Sequence, residues 1–273
     1  MALLNTYVDL IKKTPSPPEG AQAMADPPFL KEVVLSKRRR SEAAQLSVVN
    51  IDSYQKQRRT VQLIPKSLNQ ETYIDLLENP QRLIVFAAGP AGTGKTMLAV
   101  LAALKAFRAG ECSKIVITRP AVGVDDEQHG FLPGTLNQKM EPWTRPIFDI
   151  IEEYYKPQEV VRLLEEKYIE IAPLAYMRGR TFKNSWIIAD EMQNATPSQM
   201  KMLLTRLGEN SKMVVTGDTQ QADRKAKDNG LLDFQRLMAD FEDSQYIAGV
   251  EFAVKDVRRH PAVAEVLKLY GED

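Results

Sequence analysis

The 273-residue chain is 44% hydrophobic, 26% charged and 7% aromatic, the balance of an ordinary globular protein, which excludes wholesale disorder and a fibrous structure. Thirty-six Lys and Arg against 36 Asp and Glu cancel, so no global basic field advertises a nucleic acid or an anionic membrane, and such a partner must meet a local patch. Cys112 is the single cysteine, with only His129 and His260 besides, which excludes an intrachain disulfide and a cysteine-built zinc site, argues against a transition metal and suits a reducing cytoplasm.

The opening residues, Met1 to Lys13, lack a basic n-region, and Asn5, Thr6 and Asp9 break their apolar run, so they do not read as a signal peptide. Leu3, Leu4, Tyr7, Val8 and Ile11 recur at helical spacing and predict a short amphipathic helix, either a docking or membrane-surface handle or a helix packed on its own domain. Five of the 16 prolines fall between Thr14 and Pro28, which reads as a linker. Residues 31–59 carry eight Lys or Arg against three Asp or Glu, either a basic tail that tracks phosphates or a solvated surface run. Residues 1–62 therefore read as an N-terminal extension and residues 63–273 as the core domain. No apolar stretch reaches the roughly 20 residues that span a bilayer, so no membrane partner is expected.

From Leu83 the pattern changes to short apolar strands alternating with helical stretches, the rhythm of an α/β fold with a mostly parallel sheet and helices on both faces. Strands are predicted at Leu83 to Ala88, Lys114 to Thr118, Ile169 to Pro173, Trp186 to Ala189, Lys212 to Thr216 and Gln245 to Val250. Helices are predicted at Lys95 to Ala109, Gln138 to Tyr155, Pro197 to Gly208, Leu231 to Asp240 and Pro261 to Tyr270. Thr196 before Pro197 is a good N-cap with proline in the first turn, and His260 before Pro261 repeats that proline placement.

Between the first strand and the first of these helices, Gly89, Pro90, Ala91, Gly92, Thr93, Gly94, Lys95 and Thr96 fit the P-loop pattern, with Met97 following. Its glycines let backbone N–H groups curl around phosphates, and the helix N-terminus adds partial positive charge. Lys95 is placed to reach the terminal phosphates, and the Thr96 hydroxyl to ligate Mg2+. No guanine-reading Asn-Lys-x-Asp or Thr-Lys-x-Asp occurs, so ATP is the expected nucleotide. Gln70 is a candidate to pair with adenine through its amide, and Tyr73 to stack on the base.

Trp186 to Glu191 is an apolar strand ending in two carboxylates, the Walker B arrangement. Asp190 would hold the metal, and Glu191 would polarise the attacking water as general base. The next strand runs out through Thr216, Gly217, Asp218, Thr219, Gln220 and Gln221, at the edge where doubly wound sheets bind ligands. Thr216, Asp218 and Gln221 are candidate γ-phosphate sensors. Arg258 and Arg259 precede the last helix and are candidates for an arginine finger offered to a neighbouring subunit.

Residues 172–189 hold Arg178, Arg180 and Lys183 without an acid until the strand ends, and Tyr176 and Gly179 lie among them. Basic and aromatic side chains around a glycine suit a mobile loop that grips a phosphate backbone and stacks a base. Arg119, directly after the second strand, is a further candidate contact; in either loop an arginine could instead brace a nearby carboxylate.

These motifs, together with Thr118-Arg119-Pro120-Ala121, Gly130-Phe131-Leu132-Pro133-Gly134, Ala172 to Phe182, Thr216-Gly217-Asp218 and Arg259-His260-Pro261, resemble the PhoH family of ATPases from about Leu63 to Tyr270. The resemblance implies one RecA-like P-loop domain, related to the first domain of superfamily-one helicases, and an ATPase with RNA-directed or helicase activity. It also implies that Lys95, Thr96, Asp190 and Glu191 form the ATPase centre, that Asp218 and Gln221 match the Gly-Asp-x-x-Gln motif of related helicases, and that Gln70 matches an adenine-reading glutamine. In the family text Asp-Val-Val-Arg-His-Pro the matching arginine is Arg259, and Arg258 is extra. Some relatives carry an N-terminal PIN-type nuclease domain, for which the proline-rich extension is too short, so nuclease activity is not expected.

Too little chain follows Lys95 for a second RecA-like core, so a homo-oligomer, by analogy a hexameric ring, is expected to complete the site. The resulting expectation is a Mg-ATP-hydrolysing protein acting on RNA or another single-stranded nucleic acid. The competing readings are a small-molecule kinase with the arginine loop as lid, and an ATP-gated protein-interaction module.

Overall fold

The computed structural model describes residues 60–120, 136–219, 229–241 and 244–258, together with Ala262, Glu265 and Leu269. The expected N-terminal helix, proline linker and basic run lie outside the described residues, as do Ala121, the Gly130 to Gly134 motif, Gln221, Arg259 and His260. The unit described belongs to Val61–Asp273.

Six strands, β1 (Ile84–Ala88), β2 (Lys114–Thr118), β3 (Ile169–Ile171), β4 (Ser185–Ala189), β5 (Lys212–Gly217) and β6 (Ile247–Glu251), form one sheet in the order β3-β2-β4-β5-β1-β6. Every pairing is parallel, so the expected mostly parallel sheet is parallel throughout. β1, β4 and β5 are buried at every position, which explains why they read as continuous apolar runs without alternation. The insertion of β5 between the P-loop strand β1 and the Walker B strand β4 is the RecA-like P-loop NTPase arrangement. It brings the carboxyl ends of these three strands side by side, and the site forms there.

Helices cover both faces. On one, Val85, Ala87, Ile115, Ile117, Ile188 and Val214 pack against α1 (Leu68–Glu78), α2 (Lys95–Ala109), α3 (Leu136–Glu152) and α4 (Pro157–Glu165). On the other, Phe86, Val116, Ile187 and Val215 pack against α5 (Pro197–Leu204) and α6 (Gly230–Ala239). Adjacent residues of one strand thus serve opposite cores, as the two-residue repeat of a strand requires. The predicted α2 begins and ends where expected, because its Ala- and Leu-rich sequence favours helix and Gly94 and Gly110, at φ 84° and 75°, bound it. Thr196 caps α5 by accepting from the Gln199 N–H, as its sequence predicts. The last expected helix is represented by Ala262, Glu265 and Leu269, all helical.

Two helices were not among those expected. α4 begins with Pro157, and its Glu159 carboxylate accepts from the Lys156 N–H. α1 starts at Ser67, which caps Gln70 N at 3.3 Å, but its C-terminal carbonyls depend on a lysine from β5. Lys212 Nζ donates to Leu77 O at 2.5 Å and Asn79 O at 2.8 Å, and its ammonium stands over the Trp186 ring at 5.3 Å. Among the described residues no helix is long and apolar enough to cross a membrane.

Burial pushes the Lys212 ammonium down to about 8, against the opposing charges of Glu111 and Glu78. A folded value below the ordinary lysine range means that between the two the unfolded chain binds more protons, so folding is penalised below about pH 8 and relieved above it. Urea unfolding from pH 7.5 to 10 is expected to show the native chain gaining stability relative to Lys212→Met; parallel curves would refute this assignment.

Candidate nucleotide site

The P-loop leaves the sheet through a gap that only glycine fits. Gly89 has φ 136°, and a Cβ there would lie 2.3 Å from Phe252 O. Phe252 N donates to Ala88 O at 2.7 Å and Gly89 N to Gly217 O at 3.1 Å, so the loop is hung between the exits of β5 and β6. Thr93 is fully buried, and its hydroxyl donates to Pro90 O at 2.9 Å, closing the turn on itself. Lys95 Nζ donates to Gly89 O at 2.5 Å and Pro90 O at 2.7 Å, so the loop's carbonyls hold the ammonium in the cradle. Burial lowers its proton affinity, while the charges of Asp218, Glu191 and Asp190 raise it.

Beside the cradle, Thr96 Oγ1 donates to Asp190 Oδ1 at 2.8 Å, and Thr216 Oγ1 donates to the same oxygen at 2.6 Å. One carboxylate oxygen thus joins the start of α2 to the ends of β4 and β5. The cluster offers hard oxygen donors, a carboxylate flanked by hydroxyls, and this donor set suits Mg2+ rather than a softer metal.

Glu191 follows in the left-handed region, at φ 55° and ψ 38°, which is uncommon for a non-glycine residue. Its carboxylate accepts from Gln193 Nε2 at 2.5 Å and lies 3.9 Å from Arg119 Nη2. Arg119 therefore stands beside the second acid, as the bracing alternative for that arginine had it. Asp218 is 5% exposed, and its N–H donates to Gln193 Oε1 at 3.1 Å. A cavity of about 470 Å³ opens in front of Gly89 and Pro90, with Asp218, Glu251 and Lys255 on its walls.

The two base-reading candidates are placed differently from expectation. Gln70 is 2% exposed, and both ends of its amide serve the backbone: Nε2 donates to Thr93 O at 2.9 Å and Oε1 accepts from Lys66 N at 2.7 Å. In this conformation it shapes the P-loop. Tyr73 is a core residue: its ring is fully buried edge-on against Phe252 and its hydroxyl donates to Lys95 O at 3.4 Å, so a base cannot stack on it. Met97, by contrast, is 39% exposed beside the loop.

Arg258 is bound to its own chain. Its N–H donates to Gly92 O at 3.0 Å, and its guanidinium donates to Lys66 O at 3.1 Å and Lys255 O at 3.0 Å. The basic loop divides in the same way. Leu174 and Met177 anchor a single 3₁₀ turn in the core and leave Tyr176 62% exposed, with Arg178 exposed beside it. Arg180 instead donates to Glu170 Oε1 at 2.6 Å, a carboxylate shared with Lys114, and covers the Phe182 ring at 4.5 Å. Lys183 pairs with Glu209 at 3.1 Å. Gln193, which the sequence reading passed over, is 2% exposed at the centre of the site. The available signal was a polar side chain two residues beyond the paired acids, before a capped helix.

A family model described as PhoH-like protein matches residues 62–271. A PhoH-like protein of Synechocystis sp. is 44% identical over 209 residues, covering 75% of this chain and 61% of that protein. Protein PhoH of Escherichia coli is 36% identical over 217 residues, covering 78% of this chain and 60% of its own length. The chain thus spans about six tenths of the length of these relatives. Among solved structures, a Sulfolobus solfataricus SWI2/SNF2 ATPase core in complex with dsDNA aligns with a TM-score of 0.39 at 13% identity, covering 78% of this chain and 53% of that one. Similarity that runs from the residue after Val61 through the last predicted helix makes this chain a member of the PhoH-like protein family.

Proposed function

We propose that the chain hydrolyses Mg-ATP and couples that hydrolysis to RNA or another single-stranded nucleic acid, as a cytoplasmic homo-oligomer of hexameric type. The observation that carries the reading is the 2.8 Å hydrogen bond from the P-loop hydroxyl of Thr96 to Asp190, with a second acid at the next position. A nucleotide switch needs the first pair; the second acid gives the site a base for water.

In this reading the backbone N–H groups of the P-loop cradle the phosphates and Lys95 exchanges its carbonyl partners for phosphate oxygens. Thr96 and Asp190 would hold Mg2+, which would supply positive charge to neutralise the phosphates. Glu191 takes the proton of the attacking water, and Thr216, Asp218 and Gln221 report the departure of the γ-phosphate. The engagement of the Arg258 guanidinium with three carbonyls of its own chain, counting Val257 O, favours Arg259 as the finger presented to a neighbouring copy. Tyr176 and Arg178, both exposed, are the proposed nucleic-acid contacts, with Lys183, Arg180 and Arg119 in supporting positions.

Steady-state ATP hydrolysis, measured with and without single-stranded RNA or DNA over a salt series, tests this directly. Glu191→Gln is expected to lower kcat by about 10²- to 10⁴-fold, the range of general-base contributions. Stimulation by polymer is expected to fade as salt rises, because displaced counterions drive the contact. Basal hydrolysis indifferent to both polymers would sink the nucleic-acid part alone. The division of the loop yields a separate expectation in fluorescence anisotropy: Tyr176→Ala and Arg178→Ala each weaken RNA binding roughly 5-fold or more, the lower range for a lost stack. Arg180→Ala should act mainly on thermal stability, since it removes one of the two cations on Glu170.

A further inference from the structure

We propose that Gln193 is a positioning residue for hydrolysis, holding the Glu191 carboxylate in place and tying its orientation to the backbone of Asp218; this rests on the hydrolytic reading above. The side chain is 2% exposed, in a single 3₁₀ turn (Met192–Asn194) directly after Glu191. Its two polar atoms are both spent on the site. Oε1 accepts from the Asp218 N–H at 3.1 Å, and Nε2 donates to Glu191 Oε2 at 2.5 Å.

The orientation of this amide is dictated by its partners. A backbone N–H can only donate, so it must meet the carbonyl oxygen of the amide; an ionised carboxylate can only accept, so it must meet the NH2 group. An amide satisfies both at once. Flipping it would set N–H against N–H at one end and oxygen against carboxylate at the other. The β5 exit is shaped around the same group, because a Cβ on Gly217 would lie 2.6 Å from Gln193 Oε1. A side chain at position 217 would have to displace that amide oxygen and Leu231 Cδ2, which it would also meet at 2.6 Å.

The chemical consequence concerns Glu191. Its backbone is in the left-handed region, and its side chain is 37% exposed, so the peptide alone leaves the carboxylate room to turn. The second partner, Arg119, is at 3.9 Å, a weak hold. Gln193 supplies the short, charge-assisted bond. Because the other end of the amide reads the Asp218 N–H, a shift of the segment after β5 reaches the general base through one rigid group.

Single-turnover and steady-state ATP hydrolysis by Gln193→Met, Glu191→Gln and the double variant test the assignment. Gln193→Met keeps the side-chain length and loses both hydrogen bonds. A fall in kcat of about 10- to 100-fold, the cost of misplacing a catalytic group by an ångström, is expected with KM within about threefold of the native value. In the Glu191→Gln background, Gln193→Met should cost nothing further, since it acts through that carboxylate. Native kcat in Gln193→Met, or losses that multiply in the double variant, would overturn the proposal. If Gln193→Met does not bind a fluorescent ATP analogue, Gln193→Glu decides: it keeps the acceptor for Asp218 and removes the donor to Glu191, so binding with lost turnover supports the assignment and native turnover refutes it. Native turnover in Glu191→Gln would refute Glu191 as the general base, and absence of turnover in the native chain would refute the hydrolytic reading itself; both differ from the results above.

Discussion

One oxygen of Asp190 holds the site together. It accepts from Thr96 at the start of α2 and from Thr216 at the end of β5, while the Asp190 N–H donates to Thr118 O of β2. Four elements therefore meet at a residue 7% exposed to solvent. A carboxylate in that position is tolerable because two hydroxyls donate to that oxygen. The constraint is mutual: the strand order that puts β5 between β1 and β4 is what brings both hydroxyls within reach of one carboxylate.

Three of the cations are anchored by backbone carbonyls. Lys95 is held by the P-loop, Lys212 by the end of α1, and Arg258 by Lys66 and Lys255. The three differ in consequence. Carbonyl oxygens are weaker partners than phosphate, so the Lys95 contacts are ones a nucleotide can replace. Lys212 lies beneath α1, away from the nucleotide side, and its bonds close a helix that lacks a basic residue in its last turn. Arg258 closes the P-loop from the far side through Gly92.

A second order of organisation is close packing against glycines at the strand exits. A methyl group at Gly89 would meet the Phe252 backbone, and one at Gly217 the side chains of Gln193 and Leu231. These contacts fix the spacing of the β6, β1 and β5 exits, on which the cavity before Gly89 and the reach of Gln193 both depend. The separation of Tyr176 and Arg178 from Arg180 follows similar logic: side chains that meet a carboxylate or a ring within their own domain stabilise it, and those left outward form the accessible surface.

The sequence alone makes the strands, α2, α5, the glycine-rich P-loop and the paired acids legible. Each of those is a local pattern, an apolar run, a cap or a glycine spacing, that neighbouring residues enforce. It did not reveal α1 and α4, whose ends depend on Lys212 and on a proline-led turn. Nor could it tell that Tyr73 faces Phe252, that Arg180 faces Glu170, or that Arg258 faces Lys66, because those partners are far away in the chain. Gln193 is the clearest case: three letters from Asp190, it reads as an ordinary polar residue. Only the parallel packing of β5 against β4 supplies the Asp218 N–H that makes its amide the bridge to Glu191.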